Sequence, residues 1–135
     1  ASRLGAIGYC FGGTAVLELA RSGADVGVVA SFHGALDTPM PAQPGTVKAQ
    51  VLVFHGADDH HVTQEHVAAL EKELQQAGAE YKVVQFPGAV HSFTVPEAGD
   101  DPSKGMAYNP EADRKSWETL VHTLNTVFRR SAAAA

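Results

Sequence analysis

The chain has 135 residues, 44% hydrophobic and 19% charged, with 13 glycines and a net charge of −5. This is the composition of an ordinary globular domain with one core. An acidic balance without a basic stripe excludes a nucleic-acid platform, and no apolar run approaches the roughly 20 residues of a membrane span. Cys10 is the single cysteine, so no internal disulfide can form and a reducing cytoplasm is the expected setting.

The elements alternate along the chain. A strand is predicted at 3–8 from Leu4, Ala6 and Ile7, then a helix at 12–22 ended by Gly23, a favourable C-cap residue. A strand at 26–32 leads into a Pro-rich loop at 34–49 (Pro39, Pro41, Pro44) with no helical period. The β-branched and aromatic run Val51 to Phe54 reads as a buried strand. A helix at 63–77 has Thr63 as N-cap and Gly78 as its stop, with Val67, Leu70 and Leu74 on one face and Glu71-Lys72-Glu73 on a solvated one. A strand at 81–86 and a polar loop at 94–109 precede a helix at 110–128, with Pro110 in its first turn. Trp117, Leu120, Val121, Leu124 and Phe128 form the expected buried stripe of that helix. Arg129 onward, with four terminal alanines, reads as a frayed end or cloning scar, giving a domain at 1–130 and a tail at 131–135. The pattern predicts an α/β fold: a parallel sheet of about four strands with helices on both faces.

Chemistry concentrates at the predicted strand ends. Gly8-Tyr9-Cys10-Phe11-Gly12-Gly13 joins the first strand to the first helix. Small residues two positions either side, Gly8 and Gly12, permit a tight turn that lifts Cys10 clear of the sheet. The turn sets Cys10 at a helix N-terminus, where the dipole favours an anion. Taken alone, the run equally fits a buried structural cysteine. A nucleophilic cysteine needs a base, and the base an orienting acid. His55-Gly56-Ala57-Asp58-Asp59-His60-His61-Val62 follows the third strand and Pro87-Gly88-Ala89-Val90-His91-Ser92-Phe93 the fourth. Parallel strands deliver such loops to one crevice.

These pieces, in this order, resemble the dienelactone hydrolase family of α/β-hydrolases over almost all of residues 3–129. Ser31-Phe32-His33-Gly34 and the run from Ala107-Tyr108-Asn109-Pro110 to Trp117 resemble it too. The resemblance implies a hydrolase of small esters or lactones acting through a cysteine acyl-enzyme. Cys10 would be the nucleophile, His91 the base and Asp59 the orienting acid, with the Phe11 N–H as oxyanion donor. Tyr9, His33 and Phe93 are candidate substrate contacts. His33 could instead bond the nucleophile loop or be a satisfied structural histidine. Members acting on dienelactone itself place an arginine four residues after the histidine. Val95 stands there in this chain, so a neutral substrate is expected. Members are nearly twice as long, so the chain resembles their C-terminal half.

Other readings stay open: a related hydrolase of thioesters or activated phosphoesters, or a non-catalytic, redox-sensing module. His55, Asp58, His60 and His61 have no zinc-site spacing, so neither a metal nor another cofactor is expected. His66 and His122 read as helix surface or packing residues. A half-sheet leaves the strand from Leu4 to Ile7 as an apolar edge. Its expected partner is the missing N-terminal half or a second copy.

Overall fold

A computed structural model describes residues 3–134. Its order is β1 (Gly5–Tyr9), α1 (Phe11–Arg21), β2 (Val28–Phe32), β3 (Gln50–Gly56), α2 (Gln64–Ala77), β4 (Tyr81–Phe86) and α3 (Pro110–Ala134). Two short 3-10 turns, Pro96–Ala98 and Pro102–Lys104, punctuate the loop before α3. The strands form one parallel sheet in the order β1-β2-β3-β4. All four C-terminal ends therefore point the same way.

Both faces of the sheet are covered. Leu17 and Ala20 of α1 and Val67, Leu70 and Leu74 of α2 pack on Val29, Val51 and Val53. On the opposite face, Ala112 and Leu120 of α3 pack with Val28, Ala30, Phe32, Leu52 and Phe54. Adjacent strand residues are thus buried on alternate sides, as expected of a parallel sheet between helices. β1 is an edge strand, and Leu4 just before it and Ile7 within it are exposed, as the Leu4–Ile7 edge predicts.

The predicted strands and the first two helices fall within two residues of the observed bounds. Thr63 accepts from the His66 N–H at 3.4 Å as the N-cap of α2, and Gly78 closes that helix at φ 73°. Three expectations need correction. Trp117 is 51% exposed and Val121 also faces outward. The buried stripe of α3 runs instead through Ala112, Ser116, Leu120 and Thr123. Small Ala112 and Ser116 bring the helix close to the sheet, and the Ser116 hydroxyl donates to Asp113 O at 2.9 Å, so it is buried without losing its partner.

Glu73 is likewise not on a solvated face. It accepts from the buried Arg21 at 2.8 and 2.9 Å and from the Ala42 N–H at 2.8 Å, while Arg21 also donates to Leu36 O. This paired charge ties the Pro-rich loop to α1 and α2. Finally, α3 continues to Ala134, so residues 129–134 of the expected frayed end are helical. Alanine is the strongest helix former, which accounts for the extension. Ala135 of the expected tail lies outside the described residues.

Candidate active site

Four loops leave the same end of the sheet, and strain marks where they meet. Among the described residues, three non-glycines have positive φ: Cys10 at 56°, His33 at 43° and Ser92 at 64°. The Cys10 Sγ lies 3.3 Å from His33 Nδ1 and 3.6 Å from Ser92 Oγ. Residues in this region cost about 1–3 kcal/mol each and persist where the surroundings hold them, often at functional sites. Here all three sites of strain converge on one sulfur.

The elbow is held from below. The Cys10 N–H donates to Phe32 O at 3.0 Å, and the His33 N–H to Phe54 O at 2.9 Å. Each loop is tied to the C-terminal part of the neighbouring strand. Phe11 is the first residue of α1, a position whose N–H has no acceptor within the helix. The Phe11 side chain is 85% exposed.

His91 and Asp59 stand behind Cys10. Cys10, His33 and His91 each bring a sulfur or nitrogen atom within 4.8 Å of one another. Asp59 is buried beside exposed Asp58. Its Oδ1 accepts from the N–H groups of His61 at 2.8 Å and Val62 at 3.2 Å, and its Oδ2 faces His91 Nδ1 at 3.6 Å. Burial opposes the charge of Asp59. The His91 ring and the two backbone donors outweigh it and hold the carboxyl below its ordinary range. At 3.6 Å the His91 contact is an ion-pair distance rather than a hydrogen bond, and Oδ2 has no closer donor. Catalytic hydrogen bonds in free enzymes are often this loose.

His33 lies 3.3 Å from the thiol, so of its three sequence readings the bond to the nucleophile loop is the one observed. His33 is 1% exposed, its Nε2 lies 2.9 Å from Thr94 Oγ1, and its ring meets Phe93 edge-on at 4.9 Å. Burial, reinforced by His91, lowers its pKa from 6.5 to about 4. The unfolded chain therefore protonates His33 below pH 6.5 and the folded chain only below about 4. Stability is full above pH 6.5 and falls as pH drops toward 4; the complete shift corresponds to about 3 kcal/mol. His55 is buried in β3 and its pKa is also lowered by burial, so its contribution to stability too is lost as pH falls below 6.5. Urea midpoints are expected to fall between pH 6.5 and 4.5, less steeply in His33→Asn, whose side chain tolerates positive φ. Equal slopes would place the acid sensitivity elsewhere.

Of the expected substrate contacts, only Tyr9 keeps an open face. It stacks on Phe32 at 4.5 Å at the rim of the site, and burial together with Asp113 raises its pKa. Phe93 is 0% exposed and packs between His33 and Phe86, so it has no surface to offer a ligand. The turn after His91 points Phe93 inward and leaves Ser92 at the thiol. Ser92 and Thr94 are site residues that sequence reasoning passed over. Their proximity in sequence to His91 was the one available signal. His60 and His61 are exposed and His55 is buried.

A parallel sheet with a strained residue between strand and helix defines the architecture of an α/β-hydrolase. The family model described as dienelactone hydrolase family matches residues 1–128, and the chain belongs to that family. It is 33% identical over 129 residues to uncharacterized protein K02A2.1 of Caenorhabditis elegans, covering 93% of this chain and 81% of that protein. Among solved structures it resembles the dienelactone hydrolase-like promiscuous phosphotriesterase P91 from metagenomic libraries, at 39% identity and TM-score 0.86. That match covers 93% of this chain and 53% of P91. A structure titled m3DLH matches at 39% identity and TM-score 0.87, covering 94% of this chain and 53% of the other. The chain thus spans about half the length of the solved structures it matches. No helix among the described residues is long and apolar enough to cross a membrane.

Proposed function

We propose that this chain carries the nucleophile, base and orienting acid of a cysteine hydrolase acting on small neutral esters or lactones. The observation that carries the reading is the convergence of strained Cys10 with His91, itself facing the buried carboxylate of Asp59. In this reaction His91 removes the thiol proton as Cys10 Sγ attacks the carbonyl carbon. The tetrahedral oxyanion is met by the Phe11 N–H. A donor of this kind contributes roughly 3 kcal/mol to barrier lowering. The carbon–oxygen bond then breaks as His91 returns the proton to the leaving oxygen, which becomes the alcohol. Water activated by His91 cleaves the thioester and regenerates the thiol. Asp59 holds the His91 tautomer and stabilises its cation.

His33 lies closer to Cys10 but is the poorer base. With its pKa at about 4, its proton affinity is too low to hold the thiol proton near neutral pH. In this scheme it orients the thiol, and Asp59 makes His91 the working base. Val95, four residues past His91, offers no cation for a substrate carboxylate, which favours neutral substrates. The opposite wall of the pocket and a second oxyanion donor belong, in this proposal, to the remaining half of the fold, docked along β1. A single cysteine fits a reducing cytoplasm.

Intact-protein mass spectrometry after brief exposure to a p-nitrophenyl ester tests the reading. An acyl adduct that maps to Cys10 is expected; turnover without an adduct, or an adduct elsewhere, would overturn it. One observation favours a second electrophile, the phosphotriesterase named among the similar structures. A p-nitrophenyl phosphotriester run in parallel separates the two, because its adduct adds a phosphoryl rather than an acyl mass.

A further inference from the structure

The geometry points to a zinc site at the mouth of the same crevice, formed by Cys10, His33 and His91. Its ligand atoms are one thiol sulfur and two imidazole nitrogens within 4.8 Å of one another. Tetrahedral zinc with bonds of about 2.3 Å to sulfur and 2.0–2.1 Å to nitrogen separates its ligand atoms by about 3.3–3.6 Å. Cys10 Sγ and His33 Nδ1 already stand at 3.3 Å. Only His91 must move inward, and its side chain is 24% exposed and loosely held at 3.6 Å from Asp59.

A second, independent feature prepares the two rings. Histidines that bind metal ordinarily give their other ring nitrogen to an oxygen, which fixes the tautomer. His33 Nε2 is held by Thr94 Oγ1 at 2.9 Å, and His91 Nδ1 faces Asp59 Oδ2. In the tautomers in which those nitrogens carry the protons, His33 Nδ1 and His91 Nε2 are bare lone pairs. Cys10 is only partly buried, which leaves a fourth position open to water. On binding, the Cys10 thiol loses its proton to solvent and the S–H bond is replaced by a sulfur–zinc bond. Sensitivity of ester turnover to the ion rests on the hydrolase reading above. Binding itself does not.

The test is titration of the full chain with Cd2+, which reports thiolate ligation by an ultraviolet charge-transfer band, followed by competition with Zn2+. The expected result is one equivalent of Cd2+ bound, displaced by Zn2+, with the band absent in Cys10→Ser. Thr94→Val, partly exposed and outside the ligand set, is expected to weaken binding by about 10–100-fold through loss of the His33 tautomer. His33→Asn should weaken it further, with circular dichroism confirming that both variants fold. Absence of saturable binding, or affinity unchanged in both variants, would overturn the site. So would Zn2+ that saturates the protein without slowing an active ester hydrolysis. The titration contains no substrate, so failure of the hydrolase reading leaves its outcome intact.

Discussion

Cys10→Ala is expected to lower turnover of a p-nitrophenyl ester by at least about 1,000-fold, the loss typical of removing a nucleophile that acts in a catalytic unit. The thermal midpoint should hardly move. The side chain is only partly buried, and alanine meets the positive φ of this position under the same steric terms as cysteine. Its contacts at 3.3 Å to His33 and 3.6 Å to Ser92 are weak sulfur contacts, and their loss costs little. A large loss of rate at constant stability isolates chemistry from folding. Turnover preserved in a folded Cys10→Ala protein would remove the acyl-enzyme scheme entirely.

Gly8→Ala is expected to be as damaging to the fold as Cys10→Ala is to the reaction. A Cβ at Gly8 would lie 2.1 Å from Gly12 O, 2.3 Å from Gly12 C and 2.8 Å from Gly13 N. All three are backbone atoms of the elbow, and none can swing aside like the end of a flexible side chain. Relief requires opening the turn that presents Cys10, at a cost of about 3 kcal/mol or more, the upper end for overpacking. Gly12→Ala should behave in the opposite way. A Cβ there meets nothing within 4 Å, and Gly12 lies in the first turn of α1. Alanine is favoured over glycine in helices by up to about 1 kcal/mol, so stability is expected to hold or rise. Denaturant melts of the two variants measure both. Similar losses in both would mean that the tight turn constrains the two glycines alike.

That contrast shows what a sequence motif can and cannot convey. The spacing of Gly8 and Gly12 around Cys10 pointed to a tight turn, and a tight turn is present. The spacing could not say that the close approach is one-sided, with the backbone of Gly12 crowding the Cα of Gly8. The sheet was legible because Val51 to Phe54 is a continuous apolar run and Val28 to Phe32 is broken only by Ser31, the pattern of a doubly covered strand. The face of α3 was not. Trp117, Leu120, Val121 and Leu124 make a convincing helical stripe, but burial of Ala112 and Ser116 depends on how near the sheet lies, which periodicity does not encode. Arg21 and Glu73 were hidden for a similar reason. Their pairing joins residues far apart in sequence, and a charged helix residue reads as solvated until its partner is seen. At the site, the loop residues Asp59 and His91 were legible by position after a strand. For His33 the sequence left three readings open, and the side-by-side pairing of β1 and β2 selects the bond to the nucleophile loop.

The same pairing makes this protein an auditor of its own assembly. Tyr9 sits opposite Phe32, and the carbonyl of Phe32 fastens the Cys10 amide while that of Phe54 fastens the His33 amide. Sliding one strand by a single residue would displace its loop by about 3.3 Å and turn its side chains to the other face. A chain misassembled in that way could still be compact and helical, and indistinguishable by circular dichroism. It could not bring sulfur and imidazole together. On the proposed mechanism, ester turnover recovered after refolding therefore counts correctly registered molecules, a quantity that bulk spectroscopic signals average away.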